Sequence, residues 1–235
     1  MTGPGDGPPV RSTAELAIVL HAHLPFVRHP EHPRHLEERW LFDATTECYL
    51  PLVDMLDRLA AEGVPVALTM SLTPTLADML RDDLLNARFE QHLSRLDSLL
   101  RKEQRRAEGE PSIAAVTAFY AERLATARAT WERHRGDLVG ALVGHARAGR
   151  VDLLASAATH AFLPGLLSTP DAIARQIQVG MRSFEAQTGL PAVGFWLPEC
   201  AYHPSFDAAL AEAGVGYAIV EEAALRLARP QPPMG

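Results

Sequence analysis

The stretch GFWLPECAYHPSF, residues 194–206, sets a carboxylate, Glu199, directly behind an apolar run and crowds it with Cys200, Tyr202 and His203. A carboxylate in such a place can act as a nucleophile or as a general acid or base. It can equally cap the helix expected to open at Pro204, or form a structural ion pair. Two imidazoles, His21 and His23, lie two residues apart in HAHLP, which puts both on one side of a strand. Three readings apply to them: hydrogen bonding to a substrate hydroxyl, ranked first; metal ligation, for which His160, Glu199 or Asp43 would be the third ligand; or a polar plug. No recognisable spacing supplies that third ligand, so no metal and no other cofactor is expected. Cys200 reads as a small residue packed beside Glu199 rather than a nucleophile, because no histidine is clearly placed as its base.

Apolar runs of strand length precede these groups. They are LAIVLHAHLP (16–25), VPVALTMSL (64–72), a strand within VDLLASAATHAFLP (151–164), AVGFWLPE (192–199) and VGYAIVEE (215–222). Their near-continuous hydrophobicity suits strands buried on both faces. Amphipathic stretches fill the gaps. One spans residues 36–62, with a break or kink expected near Pro51 and a stop at Gly63. A helical insertion covers about residues 75–148, and Trp131 within it reads as packing. Another helix runs from Pro170 to Thr188. Strand–helix–strand alternation implies a parallel sheet, whose functional groups gather at the C-terminal strand ends. Those ends carry His21 and His23, Ser71 and Thr73, Thr159 and His160, Glu199 and Tyr202, and Glu221 and Glu222. The segment RHPEHPRHLEER (28–39) reads as an exposed loop over the strand ends.

The chain has 235 residues, 47% hydrophobic and 22% charged, with a net charge of −7. That balance fits a globular domain and argues against a nucleic-acid partner, whose phosphates require a basic footprint. No apolar run reaches the length needed to cross a bilayer. Residues 1–14, rich in Gly and Pro, are expected to be a disordered leader without signal-peptide character. Two distant cysteines, Cys48 and Cys200, are expected to be reduced, and the location cytoplasmic.

Taken together the motifs resemble glycoside hydrolase family 57, and within it the 1,4-α-glucan branching enzymes. HAHLPFVRHPE is similar to the family's first motif, and EERWLFDATTECYLPLV to the helix that follows. SAATHAFLPGL resembles its second region, and GFWLPECAY its third, which carries the nucleophile. The resemblance implies a (β/α)7 barrel, represented here by its N-terminal part, residues 15–235. It implies a retaining mechanism with Glu199 as nucleophile. His21, His23, Trp40, His160, Trp196 and Tyr202 would bind α-1,4-glucan. The two indoles, which alone would read as core residues, would then stack on sugar rings. In the family the general acid/base is an aspartate in a fourth region downstream of the nucleophile. The sequence stops at EEAALRLARPQPPMG, before any match to that region. The expectation is therefore a fragment inactive by itself, with a second chain as a possible partner. Rival readings are a 4-α-glucanotransferase or amylase of the same family, a non-catalytic glucan-binding module, and a metal-dependent deacetylase using His21 and His23.

Overall fold

A computed structural model describes residues 16–230; the expected leader lies outside them. Five parallel strands form one sheet in sequential order: β1 (Val19–Ala22), β2 (Leu68–Leu72), β3 (Val151–Ser156), β4 (Gly194–Trp196) and β5 (Tyr217–Ile219). This is the partial barrel that the resemblance implies. Leu154, Ala155 and Phe195 have no exposed surface and Met70 is 2% exposed, so apolar residues cover both faces of the central strands.

Register brings the strand ends level. His21 of β1 lies beside Ser71 of β2, and Ser156 of β3 beside Trp196 of β4. Helix α7 (Pro170–Thr188) packs on β3 from outside. Its approach depends on Gly180, where a Cβ would lie 2.0 Å from the Ser156 carbonyl oxygen. The α7 helix closes on Gly189 in the left-handed conformation (φ 63°), as a glycine after a helix is suited to do.

Between β1 and β2 the expected helical stretch is present, but Pro51 does not break it. Helix α1 (Glu38–Ala44) continues through a π-helical turn (Thr45–Tyr49) into α2 (Leu50–Ala61). Leu50 N–H bonds to the Thr45 carbonyl, a wide turn that sits just ahead of Pro51, which has no N–H of its own to offer. Gly63 then takes φ 68° and ends the stretch.

Between β2 and β3 lie α3 (Pro74–Leu80), α4 (Asp83–Arg106), α5 (Pro111–Arg133) and α6 (Leu138–Arg147). Side chains of Thr73, Asp82 and Asp137 accept bonds from the first turns of α3, α4 and α6. Trp131 is buried at 5% exposure, its ring edge-on to Phe89 at 4.7 Å. After β4 the helix expected from Pro204 begins as a short 3₁₀ turn, Pro204–Phe206, before α8 (Asp207–Glu212). The last helix among the described residues is α9 (Glu222–Leu227). No helix among the described residues is long and apolar enough to cross a membrane.

Candidate active site

Three imidazoles and an indole stack at the C-terminal ends of β1, β3 and β4. His21 lies parallel to Trp196 with ring centroids 4.3 Å apart, and His160 lies 3.8 Å from His23 and 4.9 Å from His21. Hydroxyls at the neighbouring strand ends orient the rings. His21 Nδ1 is 2.6 Å from Ser71 Oγ, His23 Nδ1 is 3.1 Å from Thr73 Oγ1, and His160 Nδ1 is 3.3 Å from Ser156 Oγ. Ser156 also donates to the Trp196 carbonyl at 2.9 Å, so one buried hydroxyl ties β4 to the His160 ring.

Burial holds His160 and His23 neutral. It pushes His160 down to about 3 from the usual 6.5, with His23 and His21 adding to the effect. It pushes His23 down to about 4, again helped by His21. His21 is lowered by burial and partly restored by the Glu199 carboxylate. Neutral imidazoles both donate and accept hydrogen bonds, which suits hydroxyl groups better than anions. The buried His160 Nε2 and Trp196 Nε1 have no hydrogen-bond partner among the described residues. A buried polar atom without a partner is costly, and such atoms are common where a ligand or water completes the set.

Glu199 stands at the rim of this group, its side chain 74% exposed and Oε1 3.9 Å from His160 Nε2. Its backbone is left-handed (φ 58°, ψ 20°), and Cys200 and His160 are left-handed too, each at φ 53°. For residues with a Cβ this conformation costs on the order of 1–2 kcal/mol each, and such strain concentrates at functional sites. Hydrogen bonds lock the turn: Cys200 N–H to Leu197 O at 2.8 Å, Ala201 N–H to Pro198 O at 3.1 Å, and Glu221 N–H to Cys200 O at 3.2 Å. The strand therefore ends abruptly and turns the carboxylate outward over the imidazoles.

His21, His23, His160, Trp196 and Glu199 thus come together. Tyr202 turns elsewhere: its hydroxyl donates to Asp207 Oδ1 at 2.8 Å, at the start of α8, and that bond raises its pKa. Trp40 is 52% exposed on α1, and no ring contact among the described residues joins it to the stack. Cys200 is half-buried beside Glu199, with its thiol pushed up by burial and by Glu199 and Glu221. The histidines at 21, 23 and 160 do not form a set of three ligand atoms close enough to share an ion. Sequence reasoning did not single out Ser156 as part of the group. Its position four residues before His160, at the end of β3, was the available signal.

The loop over the strand ends is built more firmly than its composition suggests. Arg88 of α4 donates to the carbonyls of His29, at 3.1 Å, and His32, and pairs with the buried Glu38 carboxylate. Arg28 pairs with Asp82 at 2.6 Å.

Known proteins resemble this chain in sequence and in fold. The profile of glycosyl hydrolase family 57 matches residues 17–233. The 1,4-alpha-glucan branching enzyme of Thermococcus kodakarensis is 34% identical over 191 residues, 81% of this chain and 27% of that protein. A probable 1,4-alpha-glucan branching enzyme of Mycobacterium tuberculosis is 31% identical over 220 residues, 87% of this chain and 41% of its own length. Among solved structures, the alpha-amylase AmyC of Thermotoga maritima superposes with a TM-score of 0.87 at 36% identity, covering 92% of this chain and 41% of that one. The chain thus spans well under half the length of each of these relatives. A match over nearly all of its sequence, with the strand-end group in place, assigns the chain to glycosyl hydrolase family 57.

Proposed function

We propose that this chain carries the nucleophile side of a retaining α-glucan active site, with Glu199 attacking the anomeric carbon and α-1,4-glucan as substrate. The supporting observation is the locked left-handed turn that holds Glu199 over a hydroxyl-seeking floor of His21, Trp196 and the neutral His23 and His160. In a retaining reaction the carboxylate forms a glycosyl ester. A second carboxyl group about 5–5.5 Å away protonates the leaving oxygen and then activates the acceptor. Transfer to a sugar 6-hydroxyl, as in branching, replaces water in the second step. Trp40 and Tyr202 complete the proposed glucan contacts further from the stack. Both cysteines are free thiols, which supports work in the cytoplasm.

A second reading, an amylase of the same family, is supported by the likeness to the Thermotoga maritima alpha-amylase. The products separate the two: branch points in one case, shortened linear chains in the other.

The acid/base partner is proposed to come from a further part of the barrel, as a contiguous or second chain. The purified 235-residue chain should then make no α-1,6 branches in amylose, because losing general acid help costs about 10²–10⁴-fold. Supplying the rest of a relative's barrel in trans should restore some transfer. Glu199→Gln should abolish it in that complex, since an amide cannot form the ester, while glucan binding persists. Iodine staining and enzymatic debranching report the branches. Robust branching by the chain alone would make Glu221 or Glu222 the acid and overturn the split-site reading. Full activity of Glu199→Gln would overturn the nucleophile assignment itself.

A further inference from the structure

We infer that His29, His35 and Glu37 form a binding site for a zinc-class divalent cation, separate from the proposed glucan site and pinning the loop between β1 and α1. Their ligand atoms all lie within 4.8 Å of one another, and each residue is half-buried. Two imidazoles and a carboxylate are a ligand set that zinc takes readily, with water completing a tetrahedron. Zinc–ligand bonds of about 2.0–2.1 Å put tetrahedral donors about 3.4 Å apart, so the set must contract by roughly 1.5 Å at most. Rotations about side-chain bonds near the surface cover that distance.

Three features distinguish the cluster from a chance meeting of surface groups. First, the His29 and His35 rings are stacked 3.6 Å apart, so two basic imidazoles are already held together. Second, His35 Nδ1 lies against the Glu37 carboxylate, yet this buried nitrogen has no bond of hydrogen-bond geometry. An imidazole nitrogen and a carboxylate oxygen, two donor types that zinc takes, are thus already adjacent. Third, the backbone bearing His29 is fixed before any ion arrives. Its carbonyl accepts from Arg88 at 3.1 Å and its N–H donates to Glu38 Oε1 at 3.3 Å. Arg88 is itself neutralised by Glu38, so its charge does not repel a cation outright. Glu31, 3.1 Å from His29 Nδ1, is close enough to orient that ring and adds negative charge. Such supporting carboxylates orient ligating histidines in many metal sites.

The ion would act structurally, joining the loop that follows His21 and His23 to the start of α1. No part of the proposed chemistry at Glu199 passes through it, so failure of one proposal leaves the other standing. Binding requires neutral imidazoles and an ionised carboxylate.

The test uses the tag-free 235-residue chain, stripped with chelator, desalted and titrated with zinc(II) against a chromophoric competitor. Elemental analysis should find one zinc per chain. Cobalt(II) in place of zinc should give the visible bands of a four-coordinate ion with nitrogen ligands. His35→Gln and Glu37→Gln should each weaken zinc binding at least about 10-fold, a loss seen even for residues that only support a ligand. The double variant His21→Asn/His23→Asn should bind zinc as the parent does. Circular dichroism of each zinc-free variant checks its fold; if one fails, the other and the cobalt spectrum of the parent decide. Absence of zinc uptake by the folded parent overturns the proposal. So does uptake unchanged in both loop variants, or uptake lost in the His21/His23 variant instead.

Discussion

At the scale of single residues, Ser156 does more than its size suggests. It has no exposed surface, donates to the Trp196 carbonyl and lies 3.3 Å from His160 Nδ1. Replacing it with Ala removes the hydroxyl and leaves a buried imidazole nitrogen without a partner. The expected cost is about 1–3 kcal/mol of stability, read as a lower denaturation midpoint in urea. An unchanged midpoint would mean that the His160 ring finds another partner. Glu199 presents the opposite case. It is exposed and its carboxylate is spent on no strong contact, so Glu199→Gln should leave stability nearly unchanged while abolishing transfer in the reconstituted site. The separation of those two effects distinguishes a reacting group from a structural one.

At the scale of elements, two close contacts position the site. The first is α7 against β3. A Cβ at Gly180 would meet the Ser156 carbonyl at 2.0 Å, and backbone cannot step aside as a side chain can. Gly180→Ala should therefore destabilise by about 1–3 kcal/mol, as overpacked sites do, despite Ala's better helix propensity. A more stable variant in thermal unfolding would refute this contact. The second is the buried Arg88–Glu38 pair between α4 and α1, whose side chains are 11% and 2% exposed. Glu38→Gln leaves the arginine charge without its partner, at a cost of about 3–5 kcal/mol. Because Arg88 also holds the His29 and His32 carbonyls, proteolysis within residues 28–36 should accelerate in this variant. Equal cleavage rates would show that the loop is held by other contacts.

For the whole molecule, the histidine stack couples stability to pH. His23 and His160 titrate at about 4 and about 3 in the folded chain and near 6.5 when unfolded. Above pH 6.5 both states are neutral and the stack contributes no pH dependence. As pH falls below 6.5 the unfolded chain takes up protons that the folded chain refuses, so stability declines toward about pH 4. Denaturant midpoints measured across that range should show the decline, and His160→Gln should make it shallower, with His23 supplying the remainder. A flat profile in the parent chain would mean that the stack admits a proton without unfolding.

The amino-acid sequence by itself determined the elements and the order of their strand ends. Continuous apolar runs of strand length suit strands covered on both faces, and alternation with helices implies a parallel sheet. His21, His23, His160 and Glu199 were legible as strand-end groups for that reason, and the family from the motifs they sit in. Tertiary structure decided what those groups face. Nothing local in SAATHAF or LPECAY reveals that His160, Glu199 and Cys200 adopt left-handed backbone. That conformation is unfavourable for residues with a Cβ and persists only because distant partners over-determine it. Pairing across long separations was equally hidden. Ser71 and Thr73 orient histidines 50 residues earlier, and Arg88 fastens the loop bearing His29 and His32. Hydrophobic periodicity reports which face of an element is buried, not which polar group of another element meets it there.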